Sequence, residues 1–334
     1  MTEALARRRF HSPAIWPLAG IVVLLAANLL LKPSFMRVTL LEGHLYGLPI
    51  DVLNHGAKIL IVALGMSVVV ATGGIDLSVG SVVAIAGATA ATLSVHGVAS
   101  LPLLIGGSLA AGVAAGAVNG VLVARLGVQP IVATLILMVS GRGIAEVLTD
   151  GQVVVIKRAG FDFLGNGFVL GLPFPAVLAV AIYGIAWFVR RRTAAALMLE
   201  AAGDNPPAAR LAGLPIDRIR IAAYVISGLL AAVVGVLMAA NIGAADAQRA
   251  GENLELDAIF AVVVGGTALS GGRFFLAGSF LGALLLQLLT TTMYNLGVPP
   301  AVAPVPKAIL ILAVCLAQSE RSRAWIAGLV RRAS

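Results

Sequence analysis

The sequence has little of what enzymes, secreted scaffolds and metal-binding proteins usually contain. Its 334 residues include a single cysteine, Cys315, which excludes a disulfide framework and any site built from several cysteine ligands. The four histidines, at positions 11, 44, 55 and 96, show no metal-ligand spacing. The sequence therefore predicts neither a metal site nor a set of catalytic residues.

Charged residues are also scarce. They make up 11% of the chain, and 60% of the residues are hydrophobic. A soluble domain carries about 25% charged residues, so a chain of this size could not cover a water-exposed surface with so few. The net charge is +8, but the basic residues are scattered between apolar runs and aromatics are only 5%. Scattered basic residues do not form the clustered basic face of a nucleic-acid-binding protein. The high hydrophobic content and the low charge content instead indicate an integral membrane protein.

Two further absences bear on energy supply. The chain lacks the Gly-x-x-x-x-Gly-Lys-Ser/Thr pattern, so it does not bind ATP through a P-loop. Within the apolar segments, Asp76 and Glu146 are the candidate carboxylates, whereas proton- or sodium-coupled transporters usually place such groups along their pathway. If the chain transports a solute, the pattern therefore favours energy from a separate ATPase.

Hydropathy and turn residues predict an all-α membrane protein with about ten transmembrane helices. The predicted limits are 14–31, 56–73, 77–96, 101–124, 131–149, 169–189, 221–240, 257–271, 275–295 and 304–319. Clusters of small residues, as in 110–117, predict close helix–helix contact where no hydrophobic force drives association. Residues 14–319 thus form one membrane domain.

The orientation follows from the distribution of Lys and Arg. With the N-terminus inside, the cytoplasmic segments hold about twice as many of these residues as the outer ones, although Lys157 and Arg158 are a local exception. Both tails, 1–13 and 320–334, are therefore predicted to be cytoplasmic. The first apolar stretch has no small-residue cleavage site after it, which predicts an uncleaved span rather than a signal peptide.

Two glycine-rich links are similar to each other. Residues 73–81 and 271–279 share glycine at their first, second and eighth positions and serine at the ninth. Transporters are often built from repeats whose glycine-interrupted spans mark the substrate path. Two helix hairpins that each use glycine for a tight turn would give the same pattern. The predicted topology places both links on the inner side, which does not suit an inverted repeat.

The inner loop 190–220 carries repeated capping signals. Thr193–Ala202 is rich in helix formers, and Gly203 is predicted to end that helix. Asp204 or Asn205 is then predicted to cap a second short helix that has proline in its first turn and stops at Gly213. Asp217 is expected to cap the span that follows. Two short helices on the inner face would form a platform for a partner protein, and an ordinary connecting loop is the alternative.

The run Glu200–Gly213 resembles the coupling loop of ribose-type sugar ABC importer permeases. Further blocks that match this family are Ala71–Gly80, Val118–Gly120, Gln129–Leu135, Gly265–Gly266 and Gly271–Arg273. Within the family, the blocks that look most like the galactofuranose permease branch are Ala133–Met138, Gly141–Gly143 and Glu255–Ile259. The resemblance extends from residue 50 to about residue 318.

The resemblance implies that the membrane domain is a permease, a transport subunit and not an enzyme, in the bacterial inner membrane. A cytoplasmic ABC ATPase with two nucleotide-binding modules would hold ATP-Mg, and this chain would bind no cofactor itself. A periplasmic sugar-binding protein would deliver the monosaccharide to a pair formed with a paralogous permease or a second copy. The residues that would contact the ATPase are Glu200, Ala202, Gly203, Asp204, Asn205, Ala208, Ala209 and Gly213. Glycine directly after Glu-Ala-Ala departs from the coupling loops of other ABC importers.

A second set of residues is a candidate for translocation or for structure: Gly73, Gly74, Asp76, Ser78, Gly80, Asn119, Arg142 and Asp257. Asp76 is expected to cap the third span, with direct sugar contact as the alternative. Asn119 is expected to bond across helices, and Arg142 to pair with Glu146 one turn later. Asp257 is expected either at a solvated outer end or on a rim that meets the delivery protein.

Two other functions remain compatible with the sequence. One is an ABC permease for another small solute, such as a branched-chain amino acid. The other is an ion-coupled secondary sugar transporter.

Overall fold

The computed structural model describes residues 14–98 and 100–318. The predicted tails, 1–13 and 320–334, lie outside the described residues. The described part is built mainly of helices: α1 Ile15–Leu31, α2 Leu48–Ala71, α3 Val79–Val95, α4 Leu101–Ala124, α5 Pro130–Leu148, α6 Phe161–Asn166, α7 Phe174–Arg192, α8 Ala195–Asp204, α9 Pro206–Leu211, α10 Ile216–Ile242, α11 Leu254–Val264, α12 Leu276–Asn295 and α13 Pro304–Gln318. Short 3₁₀ turns lie at Pro33–Met36 and Pro300–Val302.

Each of the ten predicted segments contains a helix, but six of these helices are long and apolar enough to cross a membrane: α2, α4, α5, α7, α10 and α12. The predicted span 257–271 is wrong in extent. α11 has 11 residues, or about 16 Å, and ends at Val264, whereas the hydrocarbon core is about 30 Å thick. The described residues therefore establish a mostly helical protein with six candidate spans, and three other helices, α1, α3 and α13, are apolar but shorter.

Helices α2 and α10 form the centre of the molecule. In the most apolar stretch of α2, 78% of the residues are buried, against 22% in α7. α10 packs on α2, α3 and α4, and α12 packs on α2 and α11. The outer helices expose large apolar side chains, such as Val139 on α5 and Ile185 on α7, because lipid and not water is their solvent.

Small residues bring α4 and α10 into close contact, as the sequence predicts. Gly112, Gly116 and Gly120 follow one another at four-residue spacing on the face of α4 that meets α10. A Cβ added at Gly116 would lie 2.9 Å from the Cα of Val225, and one at Gly120 would lie 2.8 Å from the Cα of Ile221. Such stripes allow backbones to approach and gain van der Waals contact in lipid.

Among the described residues, three two-stranded antiparallel ribbons, absent from the sequence prediction, connect the helices. Their strands are β1 Thr39–Leu41, β2 His44–Tyr46, β3 Val154–Val155, β4 Phe168–Val169, β5 Leu172–Pro173 and β6 Ala244–Ala245. β1 pairs with β2 and β4 with β5, whereas β3 pairs with the distant β6. The β3–β6 pair ties the segment after α5 to the segment after α10.

Candidate functional site

The inner loop folds into the two short helices that its capping signals predict. Asn205, and not Asp204, caps α9: its Oδ1 accepts a hydrogen bond from the backbone N–H of Ala208 at 3.1 Å. Pro206 occupies the first position of α9, where no amide hydrogen is needed. Gly213 follows the helix with φ of +84°, a left-handed conformation that glycine adopts without strain.

Two local predictions in this loop are wrong. Gly203 does not end the first helix, because α8 continues through it to Asp204. Asp217 does not cap α10 but lies in its first turn, where it accepts a hydrogen bond from Arg210 at 2.6 Å in an exposed ion pair. That contact joins α9 to the start of α10.

Gly203 lies where three backbone segments meet. A Cβ at this position would collide with the carbonyl oxygen of Ala71 and lie 2.7 Å from the backbone nitrogen of Gly272. Gly272 itself donates a hydrogen bond to the Ala71 carbonyl at 3.0 Å. A Cβ at Gly271 would lie 2.8 Å from the Cα of Gly73. We call Gly73, Gly203, Gly271 and Gly272 the glycine junction.

The glycine junction joins α8 to the ends of two long helices. Ala71 is the last residue of α2, so Gly203 sits directly against the end of that helix. Glu200 Oε1 accepts a hydrogen bond from the backbone N–H of Phe274 at 2.8 Å, two residues before α12 begins. The contact of Gly73 with Gly271 also places the two similar links at the same end of the molecule, as the predicted topology requires.

The remaining coupling-loop candidates divide into buried and exposed residues. Ala202 and Ala209 are buried and pack with Ile216, which fixes α8, α9 and α10 to one another. Asp204, Asn205 and Ala208 are exposed. Leu211, which the sequence analysis did not single out, has 91% of its surface exposed at the end of α9.

The first glycine-rich link enters the interior of the molecule. Asp76 is buried, with 2% of its surface exposed. Its Oδ1 accepts hydrogen bonds from the backbone N–H and the hydroxyl of Ser78, at 3.0 and 2.6 Å, and its Oδ2 accepts one from the Ser227 hydroxyl at 2.7 Å. Ser227 lies about 16 Å along α10 from its first residue. The link therefore reaches well inside the helical bundle.

The prediction that Asp76 caps α3 is wrong, because Ser78 occupies the N-cap position of that helix. Asp76 instead holds Ser78 in place and ties it to α10. The predicted cross-helix bond of Asn119 is confirmed: its Nδ2 donates to the Ser78 hydroxyl at 2.9 Å. The four side chains of Asp76, Ser78, Asn119 and Ser227 form a buried network, which we call the Asp76 network.

The glycines that flank this network allow close approach. A Cβ at Gly74 would lie 2.5 Å from the Tyr224 hydroxyl, and one at Gly80 would collide with the Gly251 carbonyl and the Glu255 carboxylate. The segment before α11 therefore packs directly against the start of α3. Larger residues at either glycine would push these elements apart.

Two expectations about charged residues are wrong. Arg142 does not pair with Glu146; among the described residues, the ion pairs are Arg210–Asp217 and Lys307–Asp257. Arg142 Nη1 instead donates to the carbonyls of Ala247 and Ala250, at 3.0 and 2.6 Å, and so anchors the segment before α11. Asp257 is not a solvated helix end, because it binds Lys307 at 2.8 Å with only 17% of its side chain exposed.

A polar cavity opens between α2, α11 and α12, at the end of α2 away from the glycine junction. Its volume is about 540 Å³. We call it the outer cavity, because the orientation predicted from the Lys and Arg distribution places it on the outer side. The polar side chains that line it are Asp51, His55, Lys58, Asp257, Gln287, Thr290, Thr291 and Asn295. Sequence reasoning missed it, although Lys58 and the Thr290–Thr292 run are unusual in apolar helices and were its only signal.

Within residues 14–98 and 100–318, no group of three His, Cys, Asp or Glu side chains is placed to hold a metal ion. The candidate site thus consists of the two short helices α8 and α9, the glycine junction, the Asp76 network and the outer cavity. We call α8 and α9 the inner helix pair, after the predicted orientation of their loop.

Comparison with known proteins identifies the family. Residues 48–315 match the family described as branched-chain amino acid transport system / permease component. The chain belongs to this permease family. It is a multi-pass membrane protein, since the family assignment agrees with its six candidate spans.

Individual members of the family show high similarity over almost the whole chain. The galactofuranose transporter permease of Escherichia coli K12 is 46% identical over 327 residues, which cover 98% of this chain and 96% of the relative. The fructose import permease of Bifidobacterium longum is 37% identical over 98% of this chain and 93% of its own length. The ribose import permease of Escherichia coli K12 is 35% identical over 96% of this chain and 99% of its own length. These relatives are all sugar permeases, which confirms the resemblance drawn from the motifs.

Proposed function

We propose that this chain is the permease subunit of an ATP-driven, binding-protein-dependent importer that carries a monosaccharide across the bacterial inner membrane. The sugar is galactofuranose or a related monosaccharide. The support for a sugar is that the similar permeases are named for galactofuranose, fructose and ribose. Galactofuranose is favoured because that relative is 46% identical over nearly the full length of both chains.

The observation that carries the proposal is the attachment of the inner helix pair to α2 and α12. Gly203 packs on the last residue of α2, and Glu200 binds the backbone just before α12. A protein that pushed on α8 and α9 would therefore move two helices that run towards the opposite side. Exposed Leu211 and Ala208 give such a partner an apolar contact on the same pair of helices.

The proposed partners are those expected of the import systems to which the similar permeases belong. A cytoplasmic ABC ATPase with two nucleotide-binding modules binds α8 and α9, the coupling helices, and holds ATP-Mg, so the chain itself performs no hydrolysis. A paralogous permease or a second copy completes the pathway, and a periplasmic sugar-binding protein delivers the solute. Both termini are cytoplasmic, on the side of the coupling helices. The lipid bilayer surrounds the outer helices, and no nucleic acid is a partner.

The alternative function is a permease for branched-chain amino acids, because the description of the matched family names that class of solute. An amino-acid permease would need a site for an ammonium and a carboxylate next to an apolar side chain. The lining of the outer cavity includes carboxylates, the ammonium group of Lys58 and apolar side chains, so it does not separate an amino acid from a sugar. The sugar assignment therefore rests on the similar permeases, which are named for galactofuranose, fructose and ribose.

The energy source tests the proposal in cells. We expect uptake of radiolabelled D-galactose or D-ribose to disappear when the gene of the partner ATPase is deleted, and to persist in the presence of a sodium ionophore. Uptake that survives the deletion and is abolished by a proton or sodium ionophore would contradict the proposal and indicate a secondary transporter. Uptake of labelled leucine in place of both sugars would contradict the sugar assignment.

A further inference from the structure

The outer cavity has the size and the composition of a small-molecule site. Its volume of about 540 Å³ lies within the usual range of ligand pockets, roughly 300–1,000 Å³. Gln287, Thr290 and Thr291 lie on the wall formed by α12, and 7 to 8% of the surface of each is exposed. Buried polar side chains are costly in a membrane helix unless they have partners or line a pathway.

The polar groups of the cavity offer both donors and acceptors. Gln287 Nε2 donates to the Thr291 hydroxyl at 3.1 Å, and the Thr290 hydroxyl donates to the Leu286 carbonyl at 2.8 Å, which leaves lone pairs of Thr290 as acceptors. Asn295 Nδ2 is buried without a hydrogen-bond partner in the part of the chain that the structure describes. Lys58 reaches across to Asn241 Oδ1 at 3.3 Å.

These groups match a sugar better than an ion. A neutral monosaccharide presents several hydroxyl groups, each of which both donates and accepts, so it needs a wall of mixed polarity. Tyr294 also lines the cavity and is half-exposed, which provides an aromatic face for the apolar side of a sugar ring. The lining does not consist of one sign of charge, as a site for a lone cation or anion would require.

The cavity is attached to the inner helix pair through its own walls. Two of its walls are the first half of α2 and the second half of α12. The other ends of these helices are held by Gly203 and Glu200 of α8. Asp51 in the cavity and Ala71 at the glycine junction are separated by about 30 Å along α2. A displacement of α8 therefore acts on both walls.

We propose that the outer cavity is a low-affinity binding site for a neutral monosaccharide, entered from the side opposite the coupling helices. The inference rests on the proposed sugar transport and adds its location and its contacts. Gln287, Thr290 and Asn295 provide hydrogen bonds to the sugar hydroxyls, and Tyr294 provides the apolar face.

The first test compares two variants on one helix. Gln287→Leu removes polar groups from the cavity, whereas Thr292→Val removes a buried hydroxyl whose contacts are Asn28 on α1 and the α12 backbone. Because the leucine leaves a sugar hydroxyl without its hydrogen-bond partner, Gln287→Leu should lower the uptake of labelled D-galactose about tenfold. Uptake is expressed per permease in the membrane.

The outcomes of this test separate two kinds of failure. If the unaltered permease takes up neither D-galactose nor D-ribose, the proposed function itself is wrong. If it takes up sugar and Gln287→Leu does so equally well, the function stands and the assignment of the cavity is overturned. A tenfold loss in Gln287→Leu with normal uptake by Thr292→Val supports the site.

The second test does not depend on transport. In a Cys315→Ala background, Thr291→Cys should react in whole cells with the membrane-impermeant thiol reagent MTSES, because its side chain lines the outer cavity. The neighbouring Thr292→Cys should not react, since this side chain faces α1. Leu170→Cys, at a turn where 97% of the side chain is exposed, serves as the positive control. If Leu170→Cys reacts and Thr291→Cys does not, the cavity is closed to the outside, and the proposed binding site is overturned.

Discussion

Replacing Gly203 with valine is expected to reduce sugar uptake at least about tenfold while the permease still reaches the membrane. A side chain at this position would collide with the Ala71 carbonyl and press on the Gly272 amide. Both are backbone atoms, which cannot turn aside as a side chain can. α8 must therefore shift away from α2, so that ATP hydrolysis continues but no longer drives transport. Uptake and ATPase activity are measured in the same membranes.

The control for Gly203→Val is Gly184→Val in α7, since Gly184 is also a helical glycine but has open space around it. Gly184→Val should transport normally. Gly213 is a second, weaker comparison: its φ of +84° is strained for any other residue, but no atom lies within 4 Å of an added Cβ. Gly213→Ala should therefore cost about 1–2 kcal/mol locally and affect transport less than Gly203→Val does. Normal uptake by Gly203→Val at normal membrane levels would contradict the coupling role of α8.

Replacing Asp76 with leucine is expected to lower the stability of the folded permease more than Gly203→Val or Gln287→Leu does. The substitution removes the acceptor from three donors: the amide of Ser78, its hydroxyl, and the hydroxyl of Ser227. Each buried donor left without a partner costs about 1–3 kcal/mol, so the total exceeds about 3 kcal/mol. The variant should be depleted from the membrane, and in detergent it should aggregate at a lower temperature than the unaltered protein.

The conservative variant Asp76→Asn distinguishes a structural carboxylate from an ion-carrying one. Its amide oxygen can still accept both bonds from Ser78, and its NH₂ can donate to the Ser227 hydroxyl, which is free to rotate. Asp76→Asn should therefore keep most of the stability and transport sugar. An asparagine cannot carry a proton, so complete loss of uptake by a stably inserted Asp76→Asn would contradict the structural role and favour an ion-coupled transporter.

The sequence predicted the helices well because lipid imposes a simple rule. A helix that crosses the hydrocarbon needs about 20 apolar residues, and interruptions by Gly, Pro and charge mark its ends. The capping logic also placed α9 correctly, from Asn205 and Pro206 to Gly213. Local chemistry determines such features, and one chain segment contains all the information needed to predict them.

The sequence did not reveal features that depend on tertiary contact. Gly203 looked like a helix stop, since glycine usually ends helices, but its role is to bring α8 against the backbone of α2. Asp76 looked like a cap because it precedes an apolar helix, whereas its second oxygen reaches Ser227, 151 positions away. The prediction extended α11 to residue 271, although the helix ends at Val264, directly before Gly265 and Gly266. For Gly203 and Asp76, the deciding partner lies far away along the chain.

The central claim is that ATP hydrolysis by a partner drives sugar through this chain. Proteoliposomes that contain the purified permease, its partner ATPase and a sugar-loaded binding protein test this claim most directly. Labelled D-galactose should accumulate in the lumen only when ATP-Mg is present on the side of the coupling helices, and a sodium or proton gradient alone should have no effect. Accumulation driven by such a gradient without the ATPase would contradict the claim.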